Sequence, residues 1–506
     1  MLQQESSKLQ AVRIPFIGTY NSRDITNEDS DGASGIIGVG IIGQMVIGAN
    51  TTQQKDQRFH NLIPQKILGI PGITPDRSYL TKRAGFQSHS TPEAGSPGTA
   101  ITIWTGSGTG EDIITAFGAT NSTIYQNTTS LGAITGQGQF ITETLVGTTP
   151  TLLIPSDDNT GWYYQSGSVT KITDMDFPGN AGKTIVGQFV QKDGYSFIMT
   201  QDGLLYNSDL DSISSWGATS FLSAQSYADK GIGLLRVKHL IVACGTTSIE
   251  FFEITDNSTG SPLRRIDQAA IKIGVSNANS MINIDDTFAF LSSTNIGGMA
   301  VYLMDGFTPK KISNPIIEQH LSQAGITTAY LNAIRLFGRT LLIVGSGSYT
   351  FVYSIEDDTW HEWTSNVPYW FRTVGAQTGT RVIYSISNDT SGKVYRISPG
   401  TPVYQDNGGN YSCVIFTPNY NFDNLDWKRC FKLKLIGARP GSTTNISVSW
   451  SDDDYGTWVT DRTIDINTVG SFITQLGAFK NRAFRFTYSG ANWIRLEAFE
   501  LDISKR

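Results

Sequence analysis

The chain has 506 residues, enough for several ordinary domains or one large repeat architecture with additions. Only 16% of residues are charged, glycine is abundant at 52 residues, and aromatics reach 11%. That composition disfavours long helices and favours many short strands joined by tight turns. The net charge of −6 excludes a global basic footprint of the kind that advertises nucleic-acid binding.

The opening decapeptide, MLQQESSKLQ, is polar and does not read as a signal peptide. Residues 1–98 are rich in Gly, Pro, Asn and Asp. They read as an extended assembly segment that packs on other domains or other subunits. Inside it, Ile36 to Gly48 (IIGVGIIGQMVIG) is the one membrane-like stretch. It falls short of the ~20 apolar residues a spanning helix needs, so a buried strand or an assembly loop is expected. The same stretch contains Gly38-Val39-Gly40-Ile41-Ile42-Gly43, a match to GxGxxG. No helical period follows it, and the surrounding pattern is all-β, so a dinucleotide site is not expected.

From residue 99 to 400 a pattern recurs seven times: an apolar strand, a short polar turn, then a strand carrying an aromatic. The apolar strands are DIITAFG, PTLLIP, SFIMT, HLIVACG, TFAFLSS, RTLLIVG and RVIYSIS. The aromatics of their partners are Tyr125, Tyr164, Tyr206, Phe252, Tyr302, Tyr353 and Tyr395. Units of ~40–50 residues, each a small antiparallel sheet, are the signature of propeller blades. One such sheet cannot bury both faces alone, whereas neighbours stacked around an axis can. The expectation is an all-β fold whose centre is a β-propeller of six to eight blades, with seven counted. The competing arrangement is a large array of β-sandwiches.

Within this region GNAGKT (179–184) hints at a phosphate-binding loop. Phe177 stands where its first glycine belongs, so a strand connection is the better reading. Polar turns ahead of a tryptophan recur as SDDNTGW, SDLDSISSW and SIEDDTW. Residues 401–506 lose the repeat. Strands such as NISVSWS and RAFRFTYS alternate apolar and polar residues, as in a separate β-sandwich-like domain.

Chemistry-bearing residues are sparse. Cys244, Cys413 and Cys430 form no CxxC and imply no disulfide framework, which favours a protein assembled in a reducing compartment. His60, His89, His239, His320 and His361 form no metal-binding spacing, and no GxSxG elbow occurs. The strongest candidate is SWSDDDYGTW. Sialidases are propellers with an Arg-Ile-Pro motif and S-x-D-x-G-x-T-W boxes, and this chain has Arg13-Ile14-Pro15 and SDDDYGTW. In that box Tyr455 stands where the glycine belongs and Gly456 comes one place late, a slip expected to matter for the turn. A glycosidase also needs two positioned carboxyl groups, one with a raised pKa. Asp452 to Asp454 are expected to be a solvated turn, with Trp450 and Trp458 packing from flanking strands. Their spacing does not fit an EF-hand loop either. No catalytic, cofactor-binding or metal residue, and no cofactor, is expected.

Three segments together resemble the packaged-DNA stabilisation, or tail nozzle, proteins of short-tailed phages. The first runs from Arg13-Ile14-Pro15 to Arg23, then Gln57-Arg58-Phe59-His60-Asn61-Leu62-Ile63-Pro64 and Thr81-Lys82-Arg83-Ala84-Gly85-Phe86. The second is Gly231-Ile232-Gly233, Thr246 to Phe252, and Ile271-Lys272-Ile273-Gly274-Val275. The third is SWSDDDYGTW followed by Leu476-Gly477 and RAFRFTYSG. About 30 residues separating Arg23 from Gln57 have no counterpart in that family. The resemblance implies a structural virion protein of the tail. It would form a hexameric ring below the portal and its adaptor, extend the DNA channel, and carry fibres or a plug. It brings no catalytic residues. The acidic balance suits a conduit that must not hold DNA tightly, because phosphate attraction scales with basic contacts. Ring closure would need a heterologous interface. A sialidase-like glycoside hydrolase and a carbohydrate-binding propeller are the alternatives.

Overall fold

The computed structural model describes residues 10–17, 57–67, 77–106, 112–224, 227, 229–255, 257, 260–293, 299–324, 329–347, 349–365, 371–376, 381–387, 389–422 and 425–505. The apolar glycine-rich stretch and its GxGxxG lie outside these residues. The protein divides into two units. One comprises Phe86–Phe351 and Val367–Pro402; the other comprises Met1–Gly85, Val352–Asn366 and Val403–Arg506. Residues of the N-terminal segment therefore contribute to both.

The first unit is a β-propeller. Blade one is Gly98–Trp104, Asp112–Phe117, Ser122–Gln126 and Thr129–Ile134. Blade two is Thr142–Val146, Thr149–Pro155, Gly161–Gln165 and Ser168–Lys171. Blade three is Ile185–Lys192, Tyr195–Thr200, Leu204–Ser208 and Trp216–Ser223. Blade four is Gly231–Val237, Leu240–Gly245, Ile249–Ile254 and Leu263–Arg265. Blade five is Met281–Ile284, Thr287–Ser293, Met299–Asp305 and Thr308–Lys311. A ten-residue helix, Pro315–Ala324, leads into blade six, which is Tyr330–Leu336, Arg339–Ser346 and Tyr349–Ser354. The backbone leaves this unit within the last of these strands. Blade seven is Phe371–Ala376, Ile383–Ser387 and Val394–Ile397, completed by Gln87–Ser90 from before blade one.

The first strands of successive blades touch in order, and that of blade seven touches that of blade one, so the ring closes with seven blades. Closure depends on a strand contributed from far upstream in the sequence, with Ser88 opposite Tyr395 and Gln87 opposite Arg396. Blade seven is therefore tied to both ends of the propeller sequence, which removes the open edge a ring of consecutive blades would leave.

The expected strand pairs are the second and third strands of each blade. Their aromatics fill the space between blades: Tyr164 of blade two meets Trp104 of blade one edge-on at 5.4 Å. A line of polar latches also joins consecutive blades. Glu143 Oε1 accepts from Thr105 N at 3.1 Å and Gly106 N at 2.9 Å. Arg236 Nη1 donates to Gln191 O at 3.1 Å, and Asn283 Nδ2 donates to Arg236 O at 2.9 Å. Arg335 pairs with Asp285. These bonds join strand ends to the neighbouring blade, while the apolar faces between them supply the main stabilisation.

The second unit is a β-sandwich. One sheet has the order Leu62–Ile67, Arg77–Lys82, Arg495–Lys505, Lys428–Gly437 and Phe472–Phe479, with Gln10–Pro15 also paired to Arg495–Lys505. The other sheet includes Arg58–His60, Cys413–Phe416, Ala483–Tyr488, Asn445–Ser451 and Arg462–Asp465. The core between them holds Ile14, Phe16, Leu433, Trp450, Phe484, Phe486 and Phe499. Phe16 meets Phe486 at 5.1 Å and Phe499 at 5.5 Å. The alternation in Arg13-Ile14-Pro15-Phe16 thus has a direct cause: Ile14 and Phe16 enter the core while Arg13 stays outside, paired to Glu497 at 3.7 Å. No helix among the described residues is long and apolar enough to cross a membrane.

Candidate functional site

The acid-rich hairpin was the leading chemical candidate, and its geometry is that of a self-contained turn. Asp453 accepts from Ser451 Oγ at 2.7 Å, Thr457 N at 2.8 Å and Thr457 Oγ1 at 2.5 Å. These bonds stabilise the carboxylate and push its pKa down to about 2. A general acid needs the opposite shift. Asp452 accepts a two-pronged contact from Arg482, Nε at 2.6 Å and Nη2 at 2.7 Å. Arg482 is 1% exposed and also donates to Leu476 O at 2.7 Å. Asp454 accepts from Asn419 Nδ2 at 2.5 Å.

Two expectations about this turn are refined. Its acids are not simply solvated: Asp452 neutralises a buried arginine, which the local sequence could not reveal because Arg482 lies 30 residues away. The displaced glycine also does not prevent the Ser–Asp–Thr network. Tyr455 itself takes the left-handed conformation at φ +69°. Its hydroxyl donates to Thr417 O at 2.8 Å, an anchor that offsets the backbone strain of a non-glycine residue there. Trp450 is buried in the sandwich core. Trp458 lies beyond the strand, edge-on to Phe416 at 5.9 Å and under the Arg485 guanidinium at 4.8 Å.

The remaining candidates are dispersed. GNAGKT lies in the connection between blades two and three, is followed by the strand Ile185–Lys192, and has Lys183 paired to Asp202 at 2.7 Å. Cys244, Cys413 and Cys430 are buried free thiols. No group of three or more metal-ligating residues converges among the described residues. The polar turns ahead of tryptophans are internally bonded as well: Asp209 accepts from Ser215 Oγ at 2.5 Å, and Asp357 accepts from Ser354 Oγ at 2.9 Å.

What does converge is the N-terminal motif set. Asn61 and Arg83 meet at the polar centre of the sandwich unit. Arg83 and Asp406 both have fully buried side chains and form a two-pronged pair, Nη1–Oδ1 3.0 Å and Nη2–Oδ2 2.6 Å. Arg83 Nε donates to Asn61 Oδ1 at 2.8 Å and Nη2 to Thr364 O at 2.7 Å. Its guanidinium lies 3.9 Å from the Tyr411 ring centroid. Asn61 Nδ2 in turn donates to Thr364 Oγ1 at 2.6 Å and Ser412 O at 2.7 Å. The neighbouring Lys82 Nζ donates to Gly490 O at 2.5 Å, and burial lowers its pKa to about 8. A β-carbon on Gly85 would lie 2.1 Å from Gln405 O, so glycine is required by close backbone approach. These residues act as a fastener, with the Arg83 charge paired to Asp406 and the Lys82 ammonium bonded to a backbone carbonyl.

The middle motif has the same character in blade four. Glu250 is 1% exposed and pairs with Arg265 at 2.7 Å. Asp229 accepts from Thr247 N at 2.8 Å and Ser248 N at 2.9 Å. Gly233 opposes Gly187 of blade three, where its β-carbon would stand 3.2 Å from the Gly187 Cα. A β-carbon on Gly274 would sit 2.1 Å from the Thr246 carbonyl carbon. Gly274→Ala is accordingly expected to cost about 1–3 kcal/mol by forcing backbone displacement. Urea unfolding of the purified protein checks this, and an unchanged midpoint would contradict it.

A family profile described as bacteriophage P22 Gp10, a β-propeller, matches residues 114–376. The chain belongs to that family. The match starts in the second strand of blade one and ends with the first strand of blade seven. A curated relative, the tail hub protein gp10 of Salmonella phage P22, is 23% identical over 226 residues. That similarity spans 42% of this chain and 46% of the relative. A solved structure of Raptor from Chaetomium thermophilum also aligns at 12% identity and a TM-score of 0.39, over 74% of this chain and 33% of that one. A similarity of that size adds nothing to the assignment. The family places this protein among the structural proteins of the bacteriophage tail. The N-terminal and C-terminal motifs lie outside the matched residues, and in the structure they are the fasteners of the sandwich unit.

Proposed function

We propose that this protein is a tail nozzle subunit. In this reading it forms a homo-oligomeric, hexameric ring that extends the DNA channel below the portal and its adaptor, retains packaged DNA and docks fibres or a needle-like plug. Membership of the P22 Gp10 family carries the reading. The seven-bladed ring, locked by a strand from the start of its own sequence, supports it as a rigid building block. The net charge of −6 suits passage of DNA without sequence-specific binding. The three-part division into a 1–98 assembly segment, a 99–400 propeller and a 401–506 sandwich-like domain belongs to this proposal.

The protein is proposed to act without catalysis. The hydrolase alternative relied on the SDDDYGTW acids, and Asp453 is held in the ionised state by its own turn. The decisive experiment mixes the purified protein with its portal adaptor and measures particle size and symmetry by electron microscopy. A closed ring is expected, and a persistent monomer would overturn the proposal. A fluorogenic sialoside should remain intact, and hydrolysis abolished by Arg13→Ala would replace the structural reading with the enzymatic one.

A further inference from the structure

The sequence contains a single Asn-Gly pair, Asn407-Gly408. It forms the two-residue turn between Asp406 and Gly409, which exchange backbone hydrogen bonds at 2.8 Å in both directions. Both turn residues are left-handed, with φ +46° and +82°, and both are exposed. The carboxylate of the preceding residue, Asp406, is the fully buried counter-charge of Arg83. A chemically labile dipeptide therefore adjoins the polar centre of the sandwich unit.

Three other asparagines share the left-handed conformation: Asn61, Asn127 and Asn159. Each has its amide held. Asn61 Oδ1 accepts from Arg83 and Thr364, Asn127 Oδ1 accepts from Ile113 N at 3.1 Å, and Asn159 Oδ1 accepts from Ile185 N at 3.0 Å. Their following residues are Leu62, Thr128 and Thr160, whose side chains crowd the next backbone nitrogen. The Asn407 amide makes no hydrogen bond among the described residues. A β-carbon built on Gly408 would meet nothing within 4 Å. The Asn407 amide is free to turn, and the nitrogen that would attack it is unshielded.

We propose that Asn407 is a site of spontaneous deamidation that acts as a slow covalent clock on the Arg83–Asp406 fastener. The Gly408 backbone nitrogen attacks the carbonyl carbon of the Asn407 amide. The new bond to nitrogen closes a five-membered succinimide as the bond from that carbon to the amide nitrogen breaks, and the proton given up by the Gly408 N–H passes to the departing NH2, which leaves as ammonia. Water then opens the ring at either carbonyl, giving aspartate or its β-linked isomer. No oxidant, reductant or cofactor takes part. The β-linked product lengthens the backbone by one carbon within a two-residue turn. The paired positions of Asp406 and Gly409 cannot both be kept, so the carboxylate is pulled from Arg83. Even the α-linked product places a new negative charge beside it.

The test ages the purified full-length protein at mildly alkaline pH and follows peptide masses. The expected result is a gain of one mass unit confined to the peptide containing residue 407, resolved into two isomers, with a parallel fall in thermal midpoint. Gly408→Ala should slow the gain by shielding the attacking nitrogen, and because position 408 is left-handed at φ +82° the unaged variant serves as its own reference for thermal midpoint. Asn407→Asp gives a reference for the α-linked product. An unmodified peptide after prolonged ageing overturns the site. Modification at 407 with an unchanged midpoint overturns its coupling to Arg83.

Discussion

Asp406→Ala is expected to destabilise the sandwich unit by about 3–5 kcal/mol, the range for removing one partner of a buried pair. The variant leaves the Arg83 guanidinium fully enclosed, with its carboxylate gone and its bonds to Asn61, Thr364 and the Ala84 carbonyl unable to neutralise the charge. Guanidinium itself cannot relieve this by deprotonation, because its pKa stays far above neutrality. Trp363, whose ring centroid is 5.6 Å from Arg83, reports the site by fluorescence. Denaturant unfolding read at tryptophan should show a much earlier midpoint. Arg83→Met combined with Asp406→Leu should recover part of the loss, since exchanging a buried pair for apolar groups is often neutral or better. A single variant as stable as the wild type would show that water reaches the pair and that the fastener is not closed.

The fastener was only half legible in the sequence. Arg83 and Asn61 lie in short motifs that resemblance singled out, yet nothing local identifies Asp406 as their partner across 323 residues. The same limit applies to Gln10–Pro15 and Arg495–Lys505, which pair across almost the whole sequence. Propeller blades were legible where physics gives a strong local pattern. Second strands such as Leu240–Gly245 are buried throughout and read as continuous apolar runs. Fourth strands such as Thr308–Lys311 are largely exposed and carry no such run. First strands line the inside of the ring and use small residues where neighbours approach: Gly98, Gly187, Gly231 and Gly233. These lower the apolar signal while meeting a packing need, so the first strands are absent from the apolar runs that the repeat shows. The SDDDYGTW turn misleads differently. Its register makes glycine look obligatory, whereas Tyr455 meets the same backbone requirement by anchoring its own hydroxyl.

The second large effect is acid instability of the sandwich unit centred on His361. This residue is 3% exposed on the strand Thr359–Glu362, and neither ring nitrogen has a hydrogen-bond partner among the described residues. Burial lowers its pKa from 6.5 to about 3. His60 is lowered to about 4, by burial first and by Arg58 second. Both histidines are therefore neutral in the folded protein between these values and 6.5, where the unfolded polypeptide takes up protons. Stability is complete above pH 6.5 and falls as pH drops toward 3, by about 1.4 kcal/mol per pH unit for His361 alone. The accumulated loss reaches roughly 4–5 kcal/mol, comparable to much of a domain's net stability. Glu362, beside His60, opposes this in part: burial raises its pKa, so it favours the folded state at low pH. His361→Leu isolates the histidine, because every other titrating group is unchanged. The variant should match or exceed wild-type stability at neutral pH, where no unsatisfied nitrogens remain, and its acid unfolding midpoint should move to lower pH. Acid titration followed by circular dichroism checks both, and coincident curves would show that His361 charges without penalty and that some other group governs acid unfolding.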